Sequence, residues 1–217
     1  MKTHSTLRLL LLICLPLTSN PLVASDESEA RDFMEKELNL VVETVKNKNL
    51  SPDAKRAMVE RQIRKHIALG QMAVSSLGSQ AAKFNLQEFA DYSKEFQEHL
   101  LNFYLLRAAT FVGDEVKVNL AVFDPDSGAI IVKTMGTEEA GLFRSSASSS
   151  SHRAAVDYHL IKNKDTWHIT DIVIDGININ SNFHSQFRAL LKRRTPEEVI
   201  QIIREKNAQK EKLNPFK

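Results

Sequence analysis

The chain reads as an α+β protein in which helices pack on one face of an antiparallel sheet of about four strands. Three observations lead there. Apolar residues recur at the 3.6-residue helical period in the first half and at the two-residue strand period in the second. The strands also follow one another through short turns, as in a meander. With 217 residues, 42% of them apolar and 26% charged, the composition is that of one globular domain rather than a disordered or fibrous chain.

The N-terminus stands apart. Lys2 and Arg8 flank the apolar run Leu9–Leu17, and a polar break at Thr18, Ser19 and Asn20 precedes the small residues Val23, Ala24 and Ser25. That order predicts a cleavable signal peptide over residues 1–25, because the run falls short of the ~20 residues that span a bilayer. Cys14, the one cysteine, lies inside the apolar run after Ile13, so it does not fit a lipoprotein signal. Cleavage leaves no thiol for disulfides, nucleophilic catalysis or metal binding. It also removes two of the 29 Lys and Arg, leaving a balance against 27 Asp and Glu. Bulk charge therefore gives no sign of a nucleic-acid partner.

From Asp26 to about Asn47, Ala30, Phe33, Met34, Leu38, Val41, Val42 and Val45 form the apolar stripe of a first helix. Ser51-Pro52-Asp53 opens a second, capped by the serine, with the proline where its missing N–H costs nothing. Met58, Val59, Ile63 and Ile67 line its apolar side. Gly70 and Gly78 bracket a short segment. Asn85 and Glu88 then form a capping-box pattern before a helix bearing Phe89, Tyr92, Phe96, Leu100, Phe103 and Tyr104.

In the strand region, EVKVNLAVF sets Val116, Val118, Leu120 and Val122 on one face. Asp124-Pro-Asp-Ser-Gly128 is turn chemistry leading to AIIVKTM. AVDYHLIK alternates Val156, Tyr158 and Leu160, and Asn163-Lys164-Asp165 turns it into TWHITDIVID. FRSSASSSSHR, between the second and third strands, is a serine-rich loop. A helix follows around Ser181–Arg194, and Thr195-Pro196-Glu197-Glu198 caps the last one. One domain is expected over residues 26–213, with 214–217 as a flexible tail.

Catalytic patterns are missing. The histidines show no i,i+4 helical pair and no HExxH, although His159 and His168 are expected to face each other across the third and fourth strands. No G-x-S-x-G, Walker or G-x-G-x-x-G motif occurs. Asp124, Asp126 and Gly128 resemble the start of a calcium loop but lack its closing glutamate, so a turn explains them. Asp171 and Asp175 point to one side of a strand, where an acid/base pair or simple strand-end solvation is conceivable. The expected set is no catalytic residue, no metal and no cofactor.

Thr166–Arg193 carries a sharper signal. Trp167, Ile169, Asp171-Ile172, Asp175-Gly176-Ile177, Asn182-Phe183 and Gln186-Phe187 resemble the signature of the MlaC family. This is also called the toluene-tolerance family and includes hopanoid-associated members. Ala68-Leu69-Gly70 resembles its helix-ending Leu-Gly, and Phe96, Leu100 and Tyr104 its Phe…Leu…Tyr helix. The segment from Gly70 to Phe96 and the serine-rich loop are longer than the family pattern.

The resemblance implies a periplasmic lipid carrier that is not an enzyme, with lipid as cargo rather than cofactor. Its implied partners are phospholipid, an inner-membrane lipid transporter complex and an outer-membrane lipoprotein/porin complex, in an ABC-type system maintaining outer-membrane lipid asymmetry. A hopanoid carrier of the same family and a non-catalytic periplasmic adaptor are the alternatives. The expected lipid-lining residues are Ile67, Leu69 and Met72 at the helix break and Phe96, Leu100, Phe103 and Tyr104 on the long helix. From the sheet they are Val118, Leu120, Val156, Tyr158, Ile172 and Ile174. Arg188, Lys192, Arg193 and Arg194 would steer toward anionic headgroups or an acidic partner, or simply complement a helix dipole.

Overall fold

The computed structural model describes residues 21–110, 116–138, 152–211 and 214–217. Four helices come first: α1 (Pro21–Lys46), α2 (Pro52–His66), α3 (Leu69–Leu77) and, after a 3-10 turn at Gly78–Lys83, α4 (Leu86–Ala109). The strands β1 (Lys117–Asp124), β2 (Ala129–Glu138), β3 (His152–Asn163), β4 (Thr166–Ile174) and β5 (Ile177–Asn178) follow. The chain then returns to helix in α5 (Ile179–Leu190) and α6 (Pro196–Glu211). The expected α+β class holds, with one more strand than the four expected. The first helix begins five residues ahead of Asp26. The signal segment lies almost wholly outside the described residues, as does most of the serine-rich loop.

The caps form where the residue types place them. The Ser51 hydroxyl accepts from the Ala54 N–H at 3.2 Å. Asn85 and Glu88 bond each other's backbone reciprocally, and Thr195 and Glu198 repeat that arrangement at α6. Each such cap satisfies helix N–H groups that have no partner within the helix. Beyond α6, in the stretch expected to be a tail, Asn214 donates to Asp53 at 2.7 Å and Phe216 packs against the core.

The strands form one sheet in the order β1-β2-β3-β4-β5, every pair antiparallel. The extra strand arises from Asp175-Gly176, both with positive φ (48° and 80°). That backbone is what a tight two-residue hairpin demands. It leaves Ile174 opposite Ile177.

Two bulges decide which residues face inward. The β1–β2 register slips between Val118 and Leu120, so Asn119 is the unpaired extra residue. Beyond it the side chains change face. Val118 pairs with buried Thr134 and Ala121 with buried Val132, whereas Leu120 pairs with Lys133 on the outer face. Strict alternation had put Leu120 and Val122 inward with Val118, and the bulge corrects this: Leu120 is 51% exposed. A second slip makes Thr170 the extra residue on β4, so that Ile169 and Ile172 both point to the core. It also sets His159 opposite Asp171 and His168 opposite Ile161, so the two histidines do not face each other.

The helical layer is fastened to the inner face at both of its ends. At the start of α1, Glu29 accepts from Lys162 Nζ at 2.6 Å and from the Trp167 indole N–H at 3.2 Å. Lys162 also lies over the Trp167 ring at 5.4 Å. Where α2 stops, Ile67 turns extended and bridges in parallel to Ile169, and the Ala68 N–H donates to the Ile169 carbonyl at 2.9 Å.

The register makes a direct prediction. Leu120→Lys should change unfolding free energy by no more than about 0.5 kcal/mol in urea titration. Val132→Lys, in a fully buried position, should cost about 3 kcal/mol or more. A large loss for Leu120→Lys would contradict the bulge.

Candidate functional site

Between α1, α2, the end of α4 and the inner face of the sheet lies a cavity of about 170 Å³. The helical wall comes from Met34, Leu38, Val41 and Val42 of α1, Val59 and Ile63 of α2, and Tyr104 and Ala108 of α4. The sheet wall comes from Val116, Gly136, Ala154, Val156, Tyr158, Ile169, Ile172 and Ile174. Most of these side chains are short aliphatics, and Gly136 and Ala154 present almost none.

Polar groups in the lining are few. Thr134 turns its hydroxyl into the sheet, donating to the Val156 carbonyl at 2.9 Å. Tyr104 is buried and donates to the Met72 sulfur at 3.8 Å. Burial pushes its ionisation well up, with Asp171 and Tyr158 adding to the effect, so it stays a neutral donor. Glu37, Gln62, His66, Arg107 and Tyr158 complete the polar set.

Of the residues expected to line a cavity, Ile67, Tyr104, Val156, Tyr158, Ile172 and Ile174 are brought together here. Leu69, Met72, Phe96 and Leu100 are instead buried in solid core, and Phe103 and Val118 pack against it. Leu120 sits on the opposite face of the sheet. The aromatic side of α4 is filled by α5: Phe183 and Phe187 each meet Phe96 edge-on at 5.0 Å, and Tyr92 stacks on Phe96 at 5.6 Å. Such ring pairs leave no room between them.

Apart from Ile67, the lining residues of α1 and α2 are not singled out by their apolar stripes. The signal lay in side-chain size. Beyond Phe33, those two stripes hold aliphatics and no ring, whereas α4 and α5 hold seven of the 15 Phe, Tyr and Trp residues.

The two aspartates considered for acid/base work are engaged in shaping the backbone. Asp171 accepts from the Ile172 N–H at 2.8 Å and from the Asn178 side chain at 2.6 Å. Asn178 in turn caps α5 through Ser181. Asp175 exchanges two hydrogen bonds with the Ala155 backbone. Asp124 accepts from Ser127 and Asp126 within its own turn. No group of metal-binding side chains occurs among the described residues. Arg188, Lys192, Arg193 and Arg194 are exposed at the end of α5 and do not line the cavity.

A five-stranded antiparallel sheet packed on a helical layer, with an apolar cavity between them, places the protein in the α+β class. A model of the family described as MlaC protein matches residues 35–205, and the chain belongs to that family. The fold is similar to that of a phospholipid-binding protein from Ralstonia solanacearum solved in complex with a phospholipid. The TM-score is 0.62 at 17% identity, over 83% of this chain and 98% of that one. The comparison with curated proteins gave no match. No described helix is long and apolar enough to cross a membrane.

The filled half of the molecule has its own signature in pH. His99 is packed between Phe96 and Phe183 and contacts Asn207 at 3.2 Å. Burial, then Lys210, lowers its pKa from 6.5 to about 4, against the opposing Asn207 contact. The folded state therefore resists protonation that the unfolded chain accepts. This contribution to stability is complete above pH 6.5 and is lost as pH falls toward 4, on the order of 3 kcal/mol. His99→Gln should flatten that limb of the stability–pH curve measured by urea unfolding. An unchanged limb would contradict the assignment.

Proposed function

We propose that this protein is an exported lipid carrier that holds the acyl portion of a phospholipid in the cavity between α1, α2, α4 and the sheet. The observation that carries this reading is the cavity itself, open to solvent and apolar on both walls, in a chain of the MlaC family. The bound phospholipid of the Ralstonia relative supports the choice of cargo. A diacyl lipid exposes roughly thirty methylenes, each costing about 0.8 kcal/mol in water, so unassisted passage between two membranes costs on the order of 20 kcal/mol. An apolar wall that replaces the water removes most of that barrier without any bond being made or broken. On this reading the protein transports and does not convert.

The leader-like N-terminus supports a periplasmic location. There the carrier would shuttle between an outer-membrane lipoprotein/porin complex and an inner-membrane ABC-type transporter complex. Glu27 and Glu29 of α1 bond to the Phe123 N–H and to Lys162 and Trp167, respectively. The domain is thus tied together from just past the expected cleavage point onward.

Protein purified from the periplasm and extracted with organic solvent should yield close to one lipid per chain by mass spectrometry, phospholipid rather than hopanoid. Ile172→Trp, which projects a ring into the cavity, should lower that occupancy at least about fivefold while the fold is kept, as read by circular dichroism. Wild-type protein free of lipid, or full occupancy in the variant, would overturn the reading.

A further inference from the structure

One part of the cavity wall does not match a plain hydrocarbon chain. Gln62 and His66 are one helical turn apart on α2 and face Glu37 of α1, and all three line the cavity. His66 is 6% exposed, and its ring meets Phe33 edge-on at 5.1 Å. Its Nε2 stands 3.3 Å from Glu37 Oε2 without the alignment of a hydrogen bond. Glu37 Oε2, Gln62 Oε1 and both ring nitrogens of His66 are buried and have no hydrogen-bond partner. Unsatisfied buried groups of this kind are rare, and each is costly to leave bare.

The chemistry of these atoms says what would satisfy them. The carboxyl and amide oxygens accept hydrogen bonds. Burial, opposed by Glu37, lowers the His66 pKa, and a neutral imidazole offers one donor and one acceptor. A phosphate or an ester carbonyl brings only acceptors and leaves the two oxygens bare. A hydroxyl brings a donor for an oxygen and lone pairs for the imidazole N–H.

We infer that Glu37, Gln62 and His66 form a hydrogen-bonding station for a hydroxyl group of the bound lipid, making the cavity selective for hydroxyl-bearing cargo. This rests on the carrier reading above and adds a specificity to it. The hydroxyl belongs either to the polar headgroup or to the apolar portion of the lipid, and two ligand pairs separate these sources. The first is dioleoyl phosphatidylglycerol against dioleoyl phosphatidylmethanol, which share charge and chains but differ in headgroup hydroxyls. The second is 12-hydroxystearic acid against stearic acid.

Affinities are measured on lipid-stripped wild-type protein by displacement of a fluorescent phospholipid. The hydroxyl-bearing member of one pair should bind about tenfold more tightly, the scale expected when buried polar groups are matched rather than left unpaired. The pair that shows the preference identifies the source. Gln62→Leu should bring that ratio close to one, and His66→Phe serves as a second test beside Phe33. Equal affinities within both pairs in the wild type would overturn the station while leaving the carrier reading intact. Failure of all four ligands to bind would overturn both.

Discussion

The architecture depends on a difference in side-chain length between two parts of one helical layer. Where α4 meets α3 and α5, Tyr92, Phe96, Phe183 and Phe187 interlock ring against ring. Where α1 and α2 face the sheet, Val41, Val42, Val59 and Ile63 look toward Gly136, Ala154 and Val156. Those side chains are too short to meet across the layer. Protein interiors normally close such gaps, because lining atoms without neighbours lose their dispersion contacts. A gap that persists needs walls that cannot collapse and an occupant that supplies the missing contacts.

The walls are held apart by polar fastenings at the margins. Glu29, Lys162 and Trp167 fix the start of α1 to the β3–β4 hairpin, and the Ile67–Ile169 bridge fixes the end of α2 to β4. Asp171 and Asn178 lock the corner where the sheet passes into α5. The bulge at Thr170 lets Ile169 serve the bridge while Ile172 and Ile174 still face the cavity. Asp171, which suggested acid/base chemistry in the sequence, therefore acts as scaffolding. Charged and amide groups surround the apolar space, and few enter it.

Much of this was legible before any coordinates. Caps at Ser51, Asn85 and Thr195 mark three helix starts, because an oxygen-bearing side chain there meets a local backbone need. The strand positions follow from period two, and the family follows from the Trp167–Phe187 pattern. The site was only half legible. A bulge shifts facing by one residue without leaving a mark in hydropathy, and this misplaced Leu120. Phe96, Leu100 and Phe103 form a wide apolar surface on α4, but periodicity cannot tell a surface covered by α5 from one that borders a void. Ile67, Tyr104, Val156, Tyr158, Ile172 and Ile174 reach the cavity through tertiary placement, and so do the unassigned Val59, Ile63 and Gln62.

The central claim is that acyl chains occupy the aliphatic half of the layer and not the aromatic half. Loading the protein with a phospholipid bearing a diazirine midway along one chain, irradiating it and mapping the adducts by peptide mass spectrometry tests this directly. The account predicts labels on α1 between Met34 and Val42, on α2 between Val59 and Ile67, and on Val156, Tyr158, Ile172 and Ile174. Adducts concentrated on Phe96, Leu100, Phe183 and Phe187 would contradict it.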